Sequence, residues 1–196
     1  MAVTEIRSSR PATDRRIQRT RTALIDAFRD LVLKQGYDAI TPTRLAAAAN
    51  VGRSTFYEHF ASVDEVLGVS MGGLFGPMVG WSLAPDMAPG MVEIVQHFWE
   101  NRKIGRAMLA GGARPVVLSI LSERFEAGLA DLQTPAAGSP KLAAAYLAAG
   151  TLAVLETWLA GRASGSAVQV ATALHAAGHA AARAFSTGPA IKRSAG

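Results

Sequence analysis

Residues 41–67 read TPTRLAAAANVGRSTFYEHFASVDEVL, and their local chemistry predicts three helix starts in quick succession. Thr41 followed by Pro42 is an N-cap with proline at the first helical position, where its missing N–H costs nothing. The helix so opened is brief and ends at Asn50, the residue type that after glycine best tolerates left-handed backbone. Val51-Gly52 makes a turn, and Gly52 is the N-cap of a helix running RSTFYEHF. Val51 and Phe56 then stand at the two ends of a hydrophobic staple, which fixes the angle between the two short helices. Ser62 opens a further helix with Glu65 three residues on, the spacing of a capping box.

Upstream, residues 14–35 place Ile17, Leu24, Phe28 and Leu31 close to one helical face, widened by Ile25 and Val32. Gly36 supplies the stop, and Tyr37 and Ile40 follow in a short connector. A longer helix supporting two short ones joined by a tight turn is a helix-turn-helix. Arg53, Ser54 and Thr55 occupy the first turn of the second short helix, the part that reaches base edges, and the free N–H groups there favour phosphate. Tyr57 and His59 lie further along, where a phenol and an imidazole can hydrogen-bond phosphate oxygens. Phe56 and Phe60, at i and i+4, share the opposite face and are expected in the core.

The charge is distributed to match. Residues 1–60 hold ten Lys/Arg against six Asp/Glu, so most of the net +5 lies in the first third of the 196 residues. Arg7, Arg10, Arg15, Arg16, Arg19 and Arg21 are opposed within their stretch only by Asp14. Nucleic acid is the natural partner for such a cluster, although a solvated amino-terminal arm explains the same charge. With 49% hydrophobic and 18% charged residues, disorder over most of the length is excluded. The absence of cysteine removes disulfides, thiolate metal sites and cysteine nucleophiles. No apolar stretch follows the charged start, which makes a cytoplasmic location the expectation. Residues 66–85 carry no charge, but five glycines, two prolines and two serines among them, with acidic residues at the ends, argue against a membrane span. Pro77 after Gly76 is expected to end a helix there.

On the stretch 41–67, with TALIDAFRDLVLKQGYDAI before it, the sequence resembles the TetR-type transcriptional regulators over its first third. Thr55-Phe56-Tyr57, then His59-Phe60 and a serine-acidic helix start, look like that family's recognition helix and its exit. The resemblance implies DNA binding by Thr41, Thr43, Arg44, Arg53, Ser54, Thr55, Tyr57 and His59, with a homodimer placing two recognition helices in successive major grooves. Three residues depart from the family pattern: Asn50 stands for a glycine, Gly52 for a serine cap, and Val63 for a lysine that often touches phosphate. The last implies about one phosphate contact fewer.

The rest reads as an all-α body, with helices expected over 62–75, 89–102, 104–109, 115–132, 140–161 and 166–185. This divides the chain into a basic flexible arm (1–13), a helix-turn-helix domain (14–61), a helical ligand-binding and dimerisation domain (62–187) and a disordered tail (188–196). The last two helices are rich in alanine and glycine, so they can approach closely and pair across a dimer as a four-helix interface, or form an ordinary hairpin within one chain. Glycines 68, 72, 76 and 80 repeat every four residues and Gly73 adds a fifth; such a stripe admits a neighbour or leaves a cavity. Around it Phe75, Met78, Trp81, Met91, Phe98 and Met108, with Glu93 and Glu156, are the candidate ligand pocket, half or more of the apolar ones being core. No Lys or Arg occurs between Ser54 and Asn101, while Asp64, Glu65, Asp86, Glu93 and Glu100 do, which favours an apolar effector that is neutral or cationic, although exposed carboxylates on a solvated face explain the same bias. His175 and His179 are four apart but lack a third ligand, so no metal is expected; nor is a cofactor or a catalytic residue, for Ser119 and Ser122 have no paired base. The resulting expectation is a ligand-responsive DNA-binding regulator, a repressor released from an inverted-repeat operator. Its rival, resting on Val63 and the modest net charge, is a helical ligand-binding or enzymatic domain with a vestigial helix-turn-helix.

Overall fold

The computed structural model describes residues 10–131 and 139–186, and among these the chain is all helical, without a strand. The arm before residue 10 and the tail 188–196 lie outside the described residues. Helix α1 (Arg10–Gln35) begins four residues before the expected start, and Gly36, at φ 76°, ends it with its N–H on the Val32 carbonyl at 3.0 Å. Leu24, Phe28 and Val32 are buried, whereas Ile17 is 39% exposed. The first turns of α1 therefore run past the small core that Leu24 begins.

A single 3-10 turn at Tyr37–Ala39 leads into α2 (Pro42–Ala48) and α3 (Arg53–His59). Thr41 caps α2, its Oγ1 accepting from the Arg44 N–H at 3.2 Å. Asn50 has φ 55° and is the one left-handed residue other than glycine among those described. Gly52 is the N-cap of α3, and Ser62 caps α4 (Val63–Leu83) by accepting from the Glu65 N–H at 3.1 Å. The Glu65 carboxylate reaches back one residue further than a capping box requires, to the Ala61 N–H at 2.7 Å.

Helix α4 corrects the expectation at Pro77, because it continues through the proline to Leu83. A proline removes one ladder hydrogen bond and normally disfavours helical backbone in the residue before it, through that residue's Cβ. Gly76 has no Cβ, so the second penalty is eased, and the turns beyond carry Met78, Val79 and Leu83 into the core. By length and composition α4 and α8 are each apolar enough to cross a bilayer; in this fold α4 packs on α1, α5, α7 and α9.

The body continues as α5 (Pro89–Glu100), α6 (Arg102–Met108), α7 (Ala113–Asp131), α8 (Pro140–Leu159) and α9 (Ala167–Ser186). Helix α7 packs on α4 and α8, and α9 lies against α4, α5 and α8. The core is continuous from Phe28 and Phe56 in the first domain to Phe75, Phe125 and Leu152 in the body. The glycine stripe faces α7. A Cβ at Gly72 would lie 3.1 Å from Arg124 Nη2, one at Gly76 3.2 Å from Nη1, and one at Gly68 3.4 Å from Ile120 Cδ1. The stripe thus admits an arginine laid along α4. Residues four apart drift by about 40° around a helix, so Gly80 has turned away and meets nothing within 4 Å. Gly72→Leu is expected to cost about 1–3 kcal/mol by overpacking, read as a lower urea midpoint; an unchanged midpoint would mean that Arg124 swings aside freely.

Candidate nucleic-acid interface

Helices α2 and α3 are held from beneath and bare above. Leu45 and Ala46 anchor α2, Phe56 and Phe60 anchor α3, and all four are buried. Val51, at the other end of the predicted staple, packs on the same core. On the outer side Thr41, Thr43, Arg44, Arg53, Ser54 and Tyr57 are exposed, while Thr55 and His59 are half-buried. None of the eight residues singled out from the sequence is buried, and Arg53, Ser54 and Thr55 form the first turn of α3. Arg53 lies 5.7 Å from the Tyr57 ring centroid, close enough for a cation–π contact that steadies both side chains. Arg44 donates from Nη1 to the Ala39 carbonyl at 3.0 Å, which ties α2 to the connector before it.

A groove of about 740 Å³ runs between α1 and α3, with Arg16 and Thr20 on one side and Gly52, Thr55 and His59 on the other. Arg21 does not extend into solvent as the charge pattern suggests. Its Nη1 donates to the His59 carbonyl at 2.8 Å, and its guanidinium sits 4.4 Å from the Phe60 ring centroid. It clamps the end of α3 to α1. A signal for this exists in the sequence, since Arg21 precedes Leu24 and Phe28 by three and seven residues on the buried face. Val63, standing where the resemblance expects a lysine, is buried at the start of α4; that position serves packing here.

Besides the shared core, two side-chain hydrogen bonds from the connector after α1 reach the body. The Tyr37 hydroxyl donates to Asp64 in the first turn of α4. Burial first, then the hydrogen bond to Asp64 and the charges of Asp64 and Asp38, push the phenol well above its ordinary range, so it keeps its proton. Asp38 accepts from the Gly112 N–H at 3.1 Å, at the turn between α6 and α7. A Cβ at Gly112 would overlap the Asp38 carboxylate. Residues 74 apart leave no local pattern, and sequence reasoning missed this pair.

The pocket candidates separate. Phe75, Met78 and Met91 are fully buried. Phe98 and Met108 are also buried, yet they line a cavity of about 180 Å³ between α1, α4, α5 and α6, together with Met71, Leu74, His97 and Asn101. Trp81 packs over Gly90, where a Cβ would overlap the indole. Glu93 is exposed and lines neither this cavity nor the groove between α1 and α3. Glu156 lies elsewhere, accepting from Arg114 Nε at 2.7 Å. His175 and His179 close the carboxy-terminal end of α4. Their Nδ1 atoms lie 3.0 Å from the Trp81 carbonyl and 3.5 Å from that of Leu83, and since a carbonyl only accepts, Nδ1 donates. Gly178 lets α9 come close, for a Cβ there would lie 2.8 Å from the Ser82 carbonyl oxygen. No group of three or more metal-ligating side chains occurs among the described residues.

Residues 24–68 match the family model for bacterial regulatory proteins of the tetR family. The HTH-type transcriptional regulator YxbF of Bacillus subtilis (strain 168) is 42% identical over 67 residues, 34% of this chain and 18% of that protein. TcmR of Streptomyces glaucescens, also an HTH-type transcriptional regulator, is 44% identical over 52 residues, 26% of this chain and 23% of its own length. The matches thus span about a fifth of these relatives. Among solved structures, a TetR transcriptional regulator from Streptococcus agalactiae 2603V is similar over 85% of this chain and 97% of its own, with a TM-score of 0.53 and 24% identity. That likeness extends the shared fold beyond the helix-turn-helix into the body.

Proposed function

We infer that this chain, a TetR-type protein by its helix-turn-helix domain and its fold, is a dimeric DNA-binding regulator whose operator affinity is lowered by a small apolar effector. The observation that carries this is the surface of α3, where Arg53, Ser54 and Tyr57 stand exposed above the buried Phe56 and Phe60. Such a helix enters the major groove with its first turn toward the bases, and Thr41, Thr43 and Arg44 at the start of α2 reach the flanking phosphates. Thr55 and His59 border the groove beside α1, where a phosphate fits against the half-buried edge of α3.

Pairing through α8 and α9 brings two such helices to one operator. Leu142 and Tyr146, one turn apart on α8, are 69% and 66% exposed and Val168 on α9 is 53% exposed, apolar side chains that a second copy would cover. Replacing Leu142 and Tyr146 by arginine is expected to leave a folded monomer that no longer holds an inverted repeat; sedimentation at micromolar concentration checks this, and a persisting dimer would place the interface elsewhere.

The cavity beside Phe98 and Met108 is the effector site this reading favours, because Arg29 brings α1 to its wall. At about 180 Å³ it is below the usual ligand range, so an effector must be small or must open it. A ligand preferring the open form by ~10²-fold supplies about 2.7 kcal/mol of coupling. Through α1 and α4 that energy acts on the separation of the recognition helices, and repression with release on binding follows.

The deciding experiment incubates the purified protein with sheared DNA of its source at near-physiological salt and sequences what is retained. A few sharp peaks sharing an inverted repeat are expected. Uniform or absent retention by folded protein would move the reading to its rival, a helical ligand-binding or enzymatic domain that no longer reads DNA.

A further inference from the structure

Helix α6, the start of α7 and the end of α8 meet in a groove of about 350 Å³, with Leu109 and Leu159 as its floor and Arg106, Arg114, Glu156 and Arg162 around it. Three arginines line the groove with one glutamate, and that carboxylate is taken. Glu156 accepts from Arg114 Nε at 2.7 Å and from Nη2 at 3.5 Å. The side chains of Arg106 and Arg162 have no ion pair or hydrogen bond among the described residues. The groove therefore carries an excess of two positive charges on a partly apolar floor.

Each arginine is placed by ordered backbone. Gly105 is buried, and a Cβ there would lie 3.3 Å from Leu159 Cδ1, so its lack of a side chain lets α6 close on α8 beside Arg106. Helix α8 ends in a Schellman motif: Gly161, at φ 71°, donates to the Trp158 carbonyl at 2.8 Å, and the Arg162 N–H returns to that of Thr157 at 3.0 Å. This turn carries Arg162 back over the end of α8. Gly111, at φ 56°, makes the turn that holds the Arg114 N–H on its own carbonyl at 3.2 Å.

We propose that this groove binds a compact oxyanion, a small molecule bearing a carboxylate or phosphate, between Arg106 and Arg162, with the Arg114–Glu156 pair as the adjoining wall. Guanidinium is the group suited to such ligands, since its planar fork matches two oxygens at once, and two uncompensated charges near a low-dielectric floor strengthen the attraction. The occupant differs in chemistry from the apolar effector of the other cavity, and the site stands whether or not that effector reading holds.

The test follows the thermal unfolding midpoint of the full chain against sodium phosphate and, separately, sodium citrate, with chloride adjusted to constant ionic strength. A ligand that binds only the folded state raises the midpoint saturably. A rise is expected with at least one of the two, and which one assigns phosphoryl or carboxylate chemistry. In R106Q/R162Q half-saturation should move at least ~10-fold higher. In R44Q/R53Q, which removes the cations of the α2–α3 surface, the rise should persist. No saturable rise with either anion, an equal rise in R106Q/R162Q, or its loss in R44Q/R53Q would overturn the proposal.

Discussion

Phe56→Ala is expected to cost about 3–5 kcal/mol of folding stability, the usual loss for a fully buried phenylalanine. Its ring is 0% exposed, lies 6.2 Å from that of Phe60 and 5.2 Å from that of Tyr57, and belongs to the core that also holds Leu24 and Phe28. The cavity left behind would be lined by these rings and could not collapse without moving α3. Urea denaturation should show a lower midpoint, and DNA binding should fail with it, because the staple with Val51 that sets the angle of α3 is lost. Near-wild-type stability would mean that the helix-turn-helix folds around a different centre.

Arg53→Ala is expected to weaken specific DNA binding by about 1–3 kcal/mol, the span for one base-edge contact. It stands in the first turn of α3, exposed and beside Tyr57, and the proposed function makes it a base reader. The loss should fall mainly on one operator position, with the salt dependence little changed. Tyr57→Phe removes an uncharged donor and should weaken binding across all sequences alike. Fluorescence anisotropy over a salt series, with single-base operator variants, separates the two. A uniform loss for Arg53→Ala with a salt slope lower by about one would make it a phosphate contact; unchanged affinity in both variants would remove α3 as the reader.

The legible features share one property: their partners lie within three or four residues. Thr41 and Arg44, Ser62 and Glu65, and the left-handed Asn50 are local backbone chemistry, so spacing alone carried them. Of the body helices, α5 and α8 start at Pro89 and Pro140 and α8 is followed by the left-handed Gly161, signals of the same local kind. Pro77 misled because the usual rule assumes a residue with a Cβ before the proline. Arg21 misled because its cationic head suggested solvent, while its position relative to Leu24 turned it under Phe60. Of the candidate pocket, Phe98 and Met108 line one cavity and Glu156 another, since apolar composition says that a residue is inward but not which void it meets.

By itself the sequence determined an all-helical chain, the order and caps of the first helices, and the row of polar side chains on α3, all consequences of helical periodicity and of hydrogen bonds closed within one turn. Tertiary structure alone decided that the glycine stripe receives Arg124, that Asp38 meets Gly112, and that Arg106 and Arg162 share a groove with a neutralised Glu156. Such contacts join residues tens of positions apart. Their geometry follows from how closely helices approach, which depends on the summed packing of the whole core and leaves no periodic trace in the chain.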